Sequence, residues 1–210
     1  MQIKIESSTS TIFLFSLLEF IFLLIIFIYV KSKKLNFKKY IKTLLYTKLK
    51  KPITIIYILS SISIAIIMYF IAPFIIFLLH YSFIFFFGQE LYEIAVSNQN
   101  EIIILIQTPF DIFLIFIMCF FIIAINEEYF FRGFLLKEIK LSKKWSSLLS
   151  AIIFSLYHLV TSFNIFTIIL MFLYYFIWGL ILNIQLFLCK NQLIFTILTH
   201  GLFNFLVYLV

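Results

Sequence analysis

The chain has 210 residues, of which 64% are hydrophobic and 12% charged, with a formal net charge of +7 and a mean hydropathy of +1.16. A soluble domain of this length could not hide so much apolar surface, because its outer face must carry solvating charge. The composition excludes a water-soluble globule and makes lipid the expected solvent.

Long apolar segments predict an all-α, polytopic transmembrane bundle of about six membrane helices, near 11–30, 53–79, 102–126, 147–161, 163–184 and 193–210, with interfacial helices between them. The first carries a single acid, Glu19. It lacks a small-residue cleavage site, and its leading Lys4 is offset by Glu6, so it reads as a retained helix and not a cleaved leader. Lys31 to Lys51 holds nine of the sixteen basic residues. Charge this dense cannot enter hydrocarbon, so it forms a loop or a surface-lying amphipathic helix.

Pro52 to Phe131 contains no Lys or Arg, and its polar connection, Gln89 to Glu101, is acidic. The second segment exceeds one untilted span and contains Pro73; one helix running into an interfacial stretch at Phe83–Phe87 is expected. A second basic cluster follows at Lys137, Lys140, Lys143 and Lys144, and Lys190 stands alone. With six spans, every basic loop falls on one side, which the positive-inside rule makes cytoplasmic. Both termini then lie outside the cell membrane. Residues 1–101 are expected to be membrane helices around the basic loop 31–51, and 102–210 a catalytic helical core. The positive charge points to anionic headgroups, with no nucleic acid as partner. Cys119 and Cys189 sit in or beside apolar runs with no metal or redox spacing, and read as packing residues.

Charges inside membrane segments cost on the order of a few kcal/mol each, so each one needs a reason. The densest group is Asn126-Glu127-Glu128-Tyr129-Phe130-Phe131-Arg132-Gly133. Glu128 and Arg132 are four apart and can pair on one helix face, leaving Glu127 to turn into the bundle. Taken alone, this could equally be a wet helix end at the interface. His158 lies toward the end of a short apolar helix. His200 and Asn204 share a face of the last helix. A carboxylate and a histidine can polarise a water as general base. A histidine beside an asparagine can donate to a developing oxyanion. Alternatively, Glu127, His158 and His200 supply three zinc ligands and leave a fourth position for water. His80 falls near the far end of the second helix, remote in depth from these groups.

Absences narrow the chemistry. There is no H-E-x-x-H, no G-x-S-x-G and no Walker A motif, and Asp111 is the sole aspartate. An aspartyl dyad, a serine nucleophile elbow and an ATP-driven machine are excluded. A transporter would put the buried acids and histidines to work on ions, but two symmetric, Gly/Pro-broken helices are missing.

Glu127-Glu128-x-x-x-Arg132-Gly133, then Phe154-x-x-x-His158, then His200-x-x-x-Asn204 resemble the three motifs of the CAAX-protease and bacteriocin-processing (CPBP, or Abi) intramembrane proteases. The resemblance covers about 102–210. It implies an all-helical membrane peptidase with a site opening toward the cytoplasm, acting on a membrane-associated peptide or membrane-protein substrate. By the same resemblance, Glu127 with His158 activates water, and His200 with Asn204 forms the oxyanion site. Glu128 and Arg132 buttress the first motif helix. The family is described both as zinc-dependent and as metal-free, so the cofactor is none or zinc. It also allows a self-immunity or abortive-infection protein that need not cleave anything.

Overall fold

The protein is seen in a computed structural model that describes residues 4–45, 51–97, 101–159 and 165–209. The described residues form eight helices and one pair of short strands. In chain order these are β1 (Lys4–Ser8), α1 (Thr9–Ser32), α2 (Phe37–Leu45), α3 (Lys51–Phe87), α4 (Gln89–Ser97), β2 (Glu101–Leu105), α5 (Pro109–Glu138), α6 (Lys143–His158), α7 (Ile165–Leu188) and α8 (Leu193–Tyr208). The expected all-α membrane bundle is what forms. Four helices are long and apolar enough to cross a bilayer, and α6 and α8 are shorter, at 16 residues each. The junction between the predicted spans 147–161 and 163–184 lies at 160–164, outside the described residues. So do 46–50 of the basic segment and 98–100 of the acidic connection.

Polarity is arranged inside-out relative to a soluble protein. Leu18, Phe70 and Phe85 are more than two-thirds exposed, while Asn126, Glu127, Glu128, Arg132, Gln185 and His200 are buried. Apolar side chains facing outward and polar ones facing inward are what a lipid solvent selects. The protein is therefore an integral membrane protein.

Several expected boundaries shift. The third span does not begin at 102, because residues Glu101–Leu105 pair in parallel with Lys4–Ser8. The helix starts at Pro109, where Thr108 and Asp111 form a reciprocal capping box: the Thr108 hydroxyl accepts from Asp111 N (3.3 Å) and the Asp111 carboxylate accepts from Thr108 N (2.8 Å). Helix α3, as expected, is one helix, running through Pro73 to Phe87. Its 37 residues amount to about 55 Å, well beyond the hydrocarbon core, so it tilts or projects.

The basic segment resolves into an amphipathic surface helix. In α2, Lys38, Lys39 and Lys42 are exposed while Tyr40 and Leu44 are buried. The Tyr40 and Tyr29 hydroxyls donate to Glu138 at 2.7 and 2.5 Å, tying α2 and α1 to the end of α5. The turn from α7 into α8 is tight. Lys190 and Asn191 both take positive φ (55° and 59°), and Asn191 N donates to Leu186 O at 2.8 Å, closing the helix end.

Inside the bundle, polar side chains fix how α8 sits. Gln185 Nε2 on α7 donates to Thr199 Oγ1 (2.6 Å) and Ser61 Oγ (3.0 Å), and Thr199 Oγ1 donates to Ser61 O (3.1 Å). These bonds join α3, α7 and α8 one residue before His200. On the opposite flank α8 approaches α5 at Gly201, where a Cβ would meet the Phe120 ring at 2.6 Å. Between them lies an aromatic core of Phe22, Phe131, Phe154, Trp178, Leu182 and Phe203.

Candidate active site

Helix α5 widens into π-helical turns over Met118–Ala124 and Glu128–Leu135, on either side of Asn126 and Glu127. Such widened turns concentrate at functional positions because they re-aim side chains at the expense of regular bonding. Glu127 and Glu128 are both buried, at 2% and 0% exposure.

Glu128 is the structural member of the pair. Its Oε1 accepts from Arg132 Nη1 at 3.1 Å and from His200 Nδ1 at 2.9 Å. Arg132 is held from its other side, with Nη2 donating to Gly179 O at 3.4 Å and its guanidinium 4.2 Å from the Phe154 ring centroid. Two buried charges side by side survive because each is hydrogen-bonded as well as paired.

Glu127 is the free member. Its Oε2 has no hydrogen-bond partner among the described residues. Two imidazoles face it: His158 Nε2 at 3.8 Å and His200 Nε2 at 3.9 Å. The other ring nitrogen fixes each tautomer. His158 Nδ1 lies 2.9 Å from Phe154 O, a group that only accepts, so Nδ1 carries the proton and Nε2 of the neutral ring presents a lone pair. By the same logic His200 Nδ1–H donates to Glu128. The His158 ring is gripped between Phe154 (4.3 Å) and Tyr175 (4.6 Å, 27°). With 21% of its side chain exposed, it is the most accessible member of the cluster.

Formal charge constrains the cluster further. Two carboxylates and one guanidinium leave one uncompensated negative charge, which is costly to bury.

Five of the six sequence-predicted residues thus converge: Glu127, Glu128, Arg132, His158 and His200. Asn204 lies one turn beyond His200 on α8, half-buried, without a hydrogen bond to the described residues. Two further residues went unassigned by sequence reasoning. The Tyr157 hydroxyl donates to Glu19 of α1, and the Tyr157 ring lies 5.2 Å from the His158 ring, centroid to centroid. The first helix therefore reaches the site and is more than scaffold. A lone acid in an apolar span was the available signal.

Among the described residues, no three His, Cys, Asp or Glu side chains are placed to hold a metal ion. Two zinc ligands at tetrahedral spacing stand about 3.3 Å apart, closer than the 3.8 and 3.9 Å found around Glu127. The steps below use protein groups alone.

No curated protein and no solved structure gives a significant match to the chain. Residues 109–206 match the model of the family described as Rce1-like, type II CAAX prenyl endopeptidase Rce1-like. This segment contains every motif residue at the site but excludes Glu19. By that match and its three motifs, the segment 109–206 is similar to the type II CAAX prenyl endopeptidases, consistent with the CPBP/CAAX protease family.

Proposed function

We propose that the protein is an intramembrane endopeptidase that hydrolyses a peptide bond in a membrane-associated peptide or protein, using Glu127 and His158 to activate water. The observation that carries this reading is the convergence of two imidazole Nε2 atoms on the buried Glu127 Oε2, at 3.8 and 3.9 Å. A water hydrogen-bonded to two groups at about 2.8 Å with a near-tetrahedral angle holds them about 4.5 Å apart, and a narrower angle accommodates the observed gaps.

Water in that position gives its proton to the Glu127 carboxylate while its oxygen attacks the scissile carbonyl carbon. His158, accepting through Nε2, orients the nucleophile. Glu128 holds His200 through Nδ1, as Arg132 holds Glu128. His200 and Asn204 then flank the carbonyl oxygen as it becomes an oxyanion, with the Asn204 amide N–H donating to it. Collapse of the tetrahedral intermediate breaks the C–N bond, and Glu127 returns its proton to the leaving amine. The substrate class is an amphiphilic peptide that reaches the site from the membrane, with a lipid-modified C-terminus as one form and a precursor peptide or membrane protein as others.

The test is turnover of a peptide library by protein reconstituted in liposomes. Glu127→Gln and His158→Ala should each lose about 10²- to 10⁴-fold in turnover while keeping the elution profile and melting temperature of the parent. Full turnover in both folded variants would sink the reading.

A further inference from the structure

Behind the catalytic cluster, on the far side of Arg132, lies a cavity of about 300 Å³. Its floor is buried: Arg132, Gly133, Leu186 and Leu193. Its mouth is exposed and polar, formed by Thr43, Lys137, Lys143 and Asn191. Three cations line it and no acid does. The acid adjoining Lys137 in sequence, Glu138, is held by the hydroxyls of Tyr29 and Tyr40. Arg132 is 2% exposed, and both of its terminal nitrogens are engaged elsewhere. Its Nε is buried with no partner among the described residues. Two exposed lysines over a cavity without a carboxylate, with a buried guanidinium beneath its floor, make this pocket electropositive and suited to an anion.

We propose that this cavity binds the phosphate group of an anionic membrane lipid. Two features favour a lipid over a free anion. The mouth lies where α5 and α7 end and α6 and α8 begin, ringed by lysines, which is the depth of the headgroups. Next to it, sharing Lys143 and Phe187, is a second cavity, also about 300 Å³, whose further lining is Lys144, Ser147, Leu148 and Leu180. A phosphate in the first cavity leaves an acyl chain free to run along the second. The Lys137 ammonium rests 3.0 Å from Thr43 Oγ1 and 4.3 Å from the Tyr40 ring centroid, so it is already held at the mouth. This proposal does not depend on the peptidase reading, because its readout is lipid retention.

The experiment incubates the full-length protein in neutral detergent with phosphatidylglycerol, phosphatidylcholine or inorganic phosphate. It measures retained lipid by native mass spectrometry and the melting temperature in each. Parent protein should retain phosphatidylglycerol over phosphatidylcholine, and the Lys137→Gln/Lys143→Gln double variant should lose that preference about tenfold or more. A Lys38→Gln/Lys39→Gln control on exposed α2 positions outside the cavity should keep it. Three outcomes overturn the proposal: equal retention of both lipids by the parent, the same preference in the cavity double variant, or an equal loss in the α2 control. Inorganic phosphate raising the melting temperature as much as phosphatidylglycerol at equal concentration would replace the lipid with a free anion.

Discussion

His200 Nδ1 and Arg132 Nη1 meet on a single oxygen, Oε1 of Glu128, at 2.9 and 3.1 Å. One buried carboxylate therefore sets both the tautomer of a histidine on α8 and the position of an arginine one turn away on α5. Removing its charge leaves the guanidinium buried without a counterion. Glu128→Gln should cost about 3–5 kcal/mol of stability, the usual penalty for breaking a buried pair from one side. It should lower the melting temperature far more than Glu127→Gln does. Thermal unfolding in one detergent compares the two directly, and equal melting temperatures would contradict the division of labour between the two glutamates.

Glu19 and Tyr157 are joined by a hydrogen bond, and Tyr157 adjoins His158, with ring centroids 5.2 Å apart. Glu19→Gln and Tyr157→Phe should each reduce turnover about tenfold, and the double variant should do no worse than either single one. Groups acting through one shared contact are non-additive in this way. Liposome turnover assays on the three variants provide the measurement, and a multiplicative loss in the double variant would show that the two residues act separately.

Gly201 admits α8 against the Phe120 ring, where an added Cβ would stand 2.6 Å from the nearest ring carbon. Gly201→Ala should destabilise the protein by about 1–3 kcal/mol through overpacking. It should also reduce turnover, because His200 is carried on the same turn. A shaved partner, Phe120→Leu, should restore part of the lost melting temperature.

Chelation tests the donor geometry. Because the nitrogen–oxygen separations around Glu127 exceed zinc-ligand spacing, dialysis against a strong chelator should leave turnover within about twofold of the starting rate and strip less than one equivalent of metal. Loss of turnover that returns on adding zinc would show that the side chains close around an ion.

Much of the site was legible because intramembrane charge is expensive. Glu127, Glu128, Arg132, His158 and His200 stood out against apolar surroundings, and the i, i+4 pairing of Glu128 with Arg132 followed from helical spacing. The membrane class followed from composition alone. Tyr157 was harder to see, since a tyrosine in an aromatic-rich chain carries no signal until its hydroxyl is seen on Glu19. The same holds for Gln185, Ser61 and Thr199, whose value lies in meeting across three helices. Periodicity also could not separate Glu101–Leu105 from the helix after it, because a short β-branched run reads as either strand or buried helix. The capping box at Thr108 and Asp111 was the local cue to the true start.

The two helices that carry His158 and His200, α6 and α8, have 16 residues each, or about 24 Å of rise. Where helices of that length cross a hydrocarbon slab of about 30 Å, the slab thins by several ångströms to match them, and His158 stands on the last residue of its helix. The film would then be thinnest beside Glu127, His158 and His200. Under the proposed peptidase reading, short helices bring the waterline down to the groups that need water.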